Sequence, residues 1–350
     1  MDIKINDYRI VKADFDDVKD RLKELYKYRK SEVSAEIKYG GSPYGDWDIW
    51  VVKNKKSEQI IGAGLLIVRE FYVEQKKVKA GSARDLIIDE SHRSFWPAFK
   101  LEKEIMQHFN DCGVDFIFAK PAHDIVKKMF TRLGYRNVGE YKEYTKILRW
   151  SDILARKLPS FLKMGILGKS LDGFQSFKQK LLINCNTDGY GVSLEKSLDS
   201  RFEKFNKEMA KYYKMLSVHD SKYLNWRYFK DPETNIKIFC LVNNKDEIQG
   251  YIIYKLYKHR CKIKHMLVKP EKKIIKIILF KFINHMKNRG ATKISLRFMG
   301  NSKLAKQLKK FNFIPRNRRP QSILITDGDF LRNHEFVLDK ENWLFFEGDV

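Results

Sequence analysis

The stretch from Asp85 to Tyr135 constrains the fold more than any other part of the chain. It opens on an apolar run, Leu86-Ile87-Ile88, and passes through a polar loop, Asp89 to Ser94. Apolar residues then recur at helical spacing: Phe99, Leu101, Ile105, Met106 and Phe109. That spacing predicts a helix over 95–112, with Gly113 placed to end it. A second apolar run, Phe116-Ile117-Phe118-Ala119, leads through Lys120-Pro121-Ala122-His123 into another helix, which closes on Gly134-Tyr135. Strand, loop, helix, strand, helix is the order of a βαβ unit. Parallel strands cannot be joined by a tight turn, so a helix must cross over between them.

The flanking segments extend this unit. Tyr8 to Val11 reads as a strand, and Phe15, Val18, Leu22, Leu25 and Tyr26 form the stripe of a helix that Asp14 can cap. Strands follow at 48–52, 60–68 and 78–88, and Tyr144 to Leu148 is expected to close a domain near Trp150. The second half repeats this order. Trp226-Arg227-Tyr228 before Asp231-Pro232 parallels Lys38-Tyr39 before Pro43. Strands at 236–242 and 247–251 parallel the first paired strands. Lys264 to Val268 parallels Asp85 to Ile88, and the helix at 274–286 stops at Gly290 as its counterpart stops at Gly113. A strand at 292–298 and a helix at 302–311 follow, with Asn312-Phe313 standing where Gly134-Tyr135 stood. Strands at 321–326 and 343–346 complete the copy. Six elements in one order, twice, predict an α/β (α+β mixed sheet) fold: two similar domains, each a central mixed β-sheet flanked by helices. The expected division is 1–150, a basic helical linker over 151–200, and 201–350.

The core unit resembles the cofactor-binding half of the GNAT acyl-CoA N-acyltransferases, on the strand–loop–helix order and on Phe130 with Gly134-Tyr135. In that family, backbone N–H groups at the start of a helix hold the pyrophosphate of acyl-CoA, a good anion site on physical grounds. The resemblance places that loop at Ile88, His92, Arg93, Ser94, Trp96 and Ala98. Arg93 and the small Ala98 keep the family pattern; the usual glycines are replaced, and Trp96 stands where close phosphate approach favours no side chain. The tandem arrangement resembles bacterial GNAT-like proteins of surface-polysaccharide synthesis, on the run Tyr223-Leu224-Asn225-Trp226-Arg227-Tyr228 and the ending Trp343 to Asp349. It also resembles the Fem-type transferases, which use aminoacyl-tRNA. The resemblance implies acyl-CoA (acetyl-CoA) as co-substrate and an amino-sugar or nucleotide-sugar acceptor. A non-catalytic paired-GNAT scaffold is the third reading, carried by the altered loops.

N-acyl transfer needs a base for the amine's proton, donors for the thioester oxygen and a proton for the departing thiolate. Glu70, Asp85 and Asp89 are candidate bases on the central strands. Asp85 opens an apolar run, where burial can raise a carboxyl pKa; its other reading is an ion pair with Arg84 or Arg93. His123 follows the second strand, where it is either a base near neutral pH or a polar cap for the next helix. The tyrosine acid that the family often places before Gly-Phe/Tyr is Phe130 in the first copy and Leu308 in the second. The second copy's loop, Val268 to Lys273, lacks glycine, and Pro270 removes one N–H. The resemblance therefore assigns the donor to the first copy. Tyr223, Trp226, Arg227 and Tyr228 are candidates either to stack on an acceptor or to anchor the second domain.

The formal net charge of +25 favours anionic partners: CoA phosphates, nucleotide sugars, an anionic membrane surface, or tRNA under the aminoacyl reading. No spaced nucleic-acid motif accompanies it. Basic and apolar residues mix between Ser151 and Leu182, as in a helical linker or a face resting on a membrane. The four cysteines, Cys112, Cys185, Cys240 and Cys261, show no Cys-x-x-Cys spacing, so neither a disulfide framework nor a metal site is expected. Reduced thiols and an N-terminus without a signal-peptide core point to a cytoplasmic protein.

Overall fold

The computed structural model describes all residues except 1–6, 27–41, 46, 152–169, 171–172, 174–186, 188, 231–234, 317–320, 327 and 350. The first half runs β1 (Tyr8–Ala13), α1 (Phe15–Tyr26), β2 (Trp47–Asn54), β3 (Ile60–Val73), β4 (Lys76–Ile88), α2 (Phe95–His108), β5 (Phe116–Ala119), α3 (Asp124–Arg132), β6 (Tyr135–Glu140) and β7 (Lys142–Ile147). The second runs β8 (Tyr190–Glu195), α4 (Ser200–Met209), β9 (Met215–Ser217), α5 (Ser221–Phe229), β10 (Ile236–Asn243), β11 (Ile248–Tyr257) and β12 (Arg260–Val268). It continues with α6 (Lys272–Asn288), β13 (Lys293–Gly300), α7 (Ser302–Lys310), β14 (Ile314–Arg316), β15 (Ser322–Thr326), α8 (Asp329–Asn333) and β16 (Trp343–Phe346). Gly113 and Gly290 follow the ends of α2 and α6 with φ of +64° and +73°, conformations that only a residue without Cβ adopts cheaply.

The chain forms two compact units, and they do not follow the linear division at 150 and 200. One comprises Met1–Glu140, Met215–Val218 and Gln321–Lys340; the other comprises Tyr141–Lys214, His219–Pro320 and Glu341–Val350. β7, expected to close the first domain, pairs antiparallel with β13 from Lys293↔Ile147 to Phe298↔Lys142. β15, expected in the second, pairs with β5 and β6. Alternating side chains identify a strand but not the edge that accepts it. β8, inside the stretch read as a linker, pairs with β10. Nearly all of the basic segment 151–182 lies outside the described residues, as do Lys38-Tyr39 and Asp231-Pro232 of the repeat.

In the first unit, β1-β2-β3-β4 pair antiparallel, β4 and β5 pair parallel, and β15 and β6 complete the sheet. The sheet is sandwiched. Val18 and Leu22 of α1 pack with Ile49, Val51, Ala63 and Leu65 on one face. Leu101 and Ile105 of α2 and Met129 and Phe130 of α3 pack with Val52, Leu66 and Ile117 on the other. Each such buried aliphatic stabilises by roughly 1.5–3 kcal/mol, which is what seats the helices. The second unit repeats the plan. Its strands run β8-β10-β11-β12-β13-β7-β14, with β12 and β13 parallel and the rest antiparallel. α6 buries Ile274, Ile278, Phe282 and Met286, while Phe202 and Phe205 of α4 pack on Tyr251. Among the described residues, no helix is long and apolar enough to cross a membrane.

Candidate active site

In the first unit β4 outruns its parallel partner, β5. β4 and β5 pair only from Ala80↔Phe116 to Ala83↔Ala119, yet β4 continues to Ile88. A bulge against β3 follows directly on the last residues paired with β5. Ala63 faces Ile87 and Leu65 faces Arg84, so Asp85 and Leu86 both lie opposite Gly64. Asp85 takes φ +49°, a left-handed conformation that aspartate tolerates better than most residues. Its carbonyl accepts a 2.5 Å hydrogen bond from the Tyr26 hydroxyl. Beyond β4, Asp89 organises the loop. It accepts bonds from the Ser91 N–H and hydroxyl at 3.1 and 2.8 Å, and its other oxygen takes Arg21 Nη2 at 2.8 Å. The Ser91 and Arg21 contacts hold its carboxyl below the usual carboxylate range, which makes it a poor base. α2 then starts after Ser94, whose hydroxyl caps nothing. The first-turn N–H groups of Phe95, Trp96 and Ala98 have no acceptor within the helix; Pro97 supplies none. The helix start and the bulged end of β4 are thus the two ends of one short loop.

In the second unit the space beside the parallel pair is filled by β16. β12 and β13 pair from Arg260↔Lys293 to Ile263↔Leu296. Further on, β13 pairs instead with β16, from Phe298↔Phe346 to Gly300↔Leu344. Phe346 stacks on Phe298 of β13 at 5.5 Å and meets His265 of β12 at 5.1 Å. The turn after it is locked. His219 Nε2 lies 2.7 Å and His265 Nδ1 3.3 Å from Asp349 Oδ1, while Phe346 N–H donates to Asp349 Oδ2 at 2.6 Å. All three side chains are buried. Burial alone would raise the Asp349 carboxyl, but the charges and hydrogen bonds of His219 and His265 outweigh it and hold it far below its ordinary value. Among the described residues, these three form the one cluster disposed to hold a metal ion, with ligand atoms within 4.8 Å of one another. Gly348 is equally confined: a Cβ there would stand 2.0 Å from Tyr228 Oη and 2.7 Å from the Lys264 carbonyl. Arg227 Nε donates to the Gly348 carbonyl at 3.4 Å.

No protein-family model matches the sequence, and no curated protein matches it. Solved structures do. A GCN5-related N-acetyltransferase from Anabaena variabilis ATCC 29413 superposes with a TM-score of 0.64 at 11% identity, over 91% of this chain and 72% of its own. Saccharomyces cerevisiae N-myristoyltransferase, solved with bound myristoyl-CoA, gives 0.56 at 13% identity, over 93% and 80%. A tandem GNAT protein from the clavulanic acid biosynthesis pathway gives 0.52 at 11% identity, over 91% and 98%. The fold is the GNAT fold, in tandem.

Within the first GNAT-fold unit, the expected donor-loop residues lie together between β4 and α2. Ile88 is buried against Gly62, and His92 Nδ1 lies 3.2 Å from Tyr8 Oη. Arg93 is exposed, as is Trp96, which packs on Phe95 and Phe99; Ala98 joins the core. The expected bases are not brought together. Glu70 pairs with Lys77 at 3.3 Å and sits opposite Lys79, six residues along β4 from Asp85 and so roughly 20 Å away. His123 is exposed at the start of α3, and its side chain makes no capping bond. Phe130 and Leu308 are both core residues. Of the four acceptor candidates, Tyr223 and Tyr228 are buried, whereas Trp226 and Arg227 are partly exposed. α5, which carries all four, starts at Asp220, whose carboxylate accepts the Tyr223 N–H at 2.7 Å.

Sequence reasoning missed Glu102. It lies on the inner face of α2, 1% exposed, and its Oε2 has no hydrogen-bond partner. Burial pushes its carboxyl up to about 8. Tyr135, buried with an unpartnered hydroxyl, is raised well above the ordinary phenol value by burial and by Glu102. The signal was present. Glu102 falls at i+4 from Ala98 and i−3 from Ile105, on the apolar face rather than the solvent face.

Proposed function

We propose that this protein transfers an acyl group from acyl-CoA to an amine, with the donor held by the first unit. One observation carries the choice of unit: β16 fills the space beside the second unit's parallel pair, whereas in the first unit β4 runs on past the end of its pairing with β5. The exposed Arg93 and the first-turn N–H groups of α2 suit the donor's phosphates by charge and by direction. The thioester then lies along the bulged end of β4. The amine nitrogen attacks the carbonyl carbon, the C–N bond forms, the C–S bond breaks, and the thiolate leaves with a proton. Asp85, on the bulge, and His123, on the loop leaving β5, are the titratable side chains proposed to take the amine's proton. Phe130 cannot return one to sulfur, so solvent supplies it. An amino sugar, free or nucleotide-linked, is the acceptor class proposed.

Calorimetric titration of the full chain with acetyl-CoA tests this. One site per chain is expected, with binding roughly ten- to a hundredfold weaker in Arg93→Ala because a charge-assisted phosphate contact is worth about 1.5–3 kcal/mol. Absence of binding to the wild-type chain overturns the donor assignment and turns the search to aminoacyl-tRNA or a protein partner.

A further inference from the structure

The second unit carries a concentration of positive charge that the acyl-transfer reading does not use. A cavity of about 320 Å3 on its sheet is lined by Lys255, Tyr257, Arg260, Lys262, Lys264 and Lys293, with no carboxylate among the described residues of its wall. The charges are set there by strand register. Lys255 lies directly opposite Lys262 across β11 and β12, and Arg260 directly opposite Lys293 across β12 and β13. Like charges facing each other across strands are destabilising, and this sheet contains two such pairs side by side.

The C-terminal turn holds the pocket in shape. Glu347 takes Lys262 at 2.8 Å, and Gly348 lies against the Lys264 backbone. The anchor for that turn is Asp349, clamped by His219 and His265. Glu347, beside the cavity, is committed to Lys262. The Lys264 side chain is half-buried in the wall of the cavity. An arrangement that spends stability to crowd cations around a cavity is what an anion site requires.

We propose that the second unit binds a phosphate- or pyrophosphate-bearing small molecule in this basic pocket. The cavity is large enough for a pyrophosphate with part of its substituent. Lys262 and Lys264, adjacent on the same strand face, supply ammonium donors, and Lys255 and Arg260 flank them. Tyr257, largely exposed at the rim, offers a ring and a hydroxyl to the remainder of the ligand. The proposal does not depend on where acyl-CoA binds.

Titration calorimetry with inorganic pyrophosphate is the test, on the full chain and on a Lys262→Gln/Lys264→Gln variant whose circular dichroism matches wild type. Wild type is expected to bind one pyrophosphate per chain, and the variant to bind at least tenfold more weakly. A charge-matched control, Lys303→Gln/Lys309→Gln on the exposed side of α7, should bind as wild type does. The proposal fails if pyrophosphate does not bind, if the control loses as much affinity as the pocket variant, or if single-stranded RNA binds where pyrophosphate does not. Acetyl-CoA distinguishes the source of the phosphate. If the pocket variant loses acetyl-CoA together with pyrophosphate, the phosphates recognised are the donor's own and the assignment of the donor to the first unit fails. If it keeps acetyl-CoA, they belong to a second ligand.

Discussion

Replacing Glu102 by Gln should change how stability depends on pH. The Glu102 carboxyl moves from 4.5 in the open chain to about 8 in the fold because α2 buries it without a partner for Oε2. Between those two values the unfolded chain has released the proton and the folded chain has kept it. The folded state therefore binds more protons, and stability falls as pH rises through that window. Each pH unit costs about 1.4 kcal/mol, so the penalty is roughly 0.7 kcal/mol at pH 5 and roughly 4 kcal/mol at pH 7.5. Glutamine does not titrate. Its own cost, two buried N–H donors, is the same at every pH and cancels from the comparison. Urea unfolding of both proteins at several pH values, followed by tryptophan fluorescence (Trp47 and Trp50 lie in the same unit), reads the difference directly. The variant should gain about 3 kcal/mol on wild type between pH 5 and pH 7.5 and stop gaining above pH 8. Parallel profiles for the two proteins would refute the assignment of Glu102 as a buried, protonated acid.

Three further outcomes follow from the geometry. Gly348→Ala should cost at least 1–3 kcal/mol of second-unit stability by overpacking, and adding Tyr228→Phe should recover only part of it, because the Lys264 carbonyl remains in the way; thermal melts of the single and double variants check this. Asp349→Asn should cost about 3 kcal/mol by leaving the two imidazoles without their counter-charge. Because the Asp349 carboxyl is depressed in the fold, its contribution is present above pH 4 and is lost as pH falls further, so wild type and variant should converge in acid titrations followed by far-ultraviolet dichroism. The Cys112 thiol donates to Asp48 at 2.7 Å and is pushed up to about 12 by burial and by that carboxylate; iodoacetamide at pH 8 should modify it roughly a thousandfold more slowly than a free thiol, and faster in Asp48→Asn, as mass spectrometry of the labelled peptide would show.

Local pattern carried a large part of this protein into view. The apolar stripe of α1, the run at 116–119, and the glycines after α2 and α6 all correspond to observed elements, because helix and strand periods are set by the backbone and show in the order of residues. The repeat and the strand–loop–helix order carried a resemblance to the GNAT fold, and the expected donor-loop residues, adjacent along the chain, had to lie near one another. Glu102 escaped notice because Glu102-Lys103-Glu104 reads as a polar patch; which of the three faces inward depends on the rotation of α2 against the sheet.

Other features depend on pairing across long stretches of chain, and no local pattern encodes that. β7 and β15 have the composition of strands, but each completes the sheet of the unit formed mostly by the other half. His219 and Asp349 are separated by 130 positions and meet only because β16 enters the space where β12 and β13 part. Lys255 faces Lys262 only because of a register set by a bulge at Ile253 and Tyr254. The sequence by itself determined two mixed sheets with helices, and the loop that joins β4 to α2. Tertiary structure alone decided which space β16 fills and where the cations gather, because side-chain burial and cross-strand contacts arise from the packing of elements far apart along the chain.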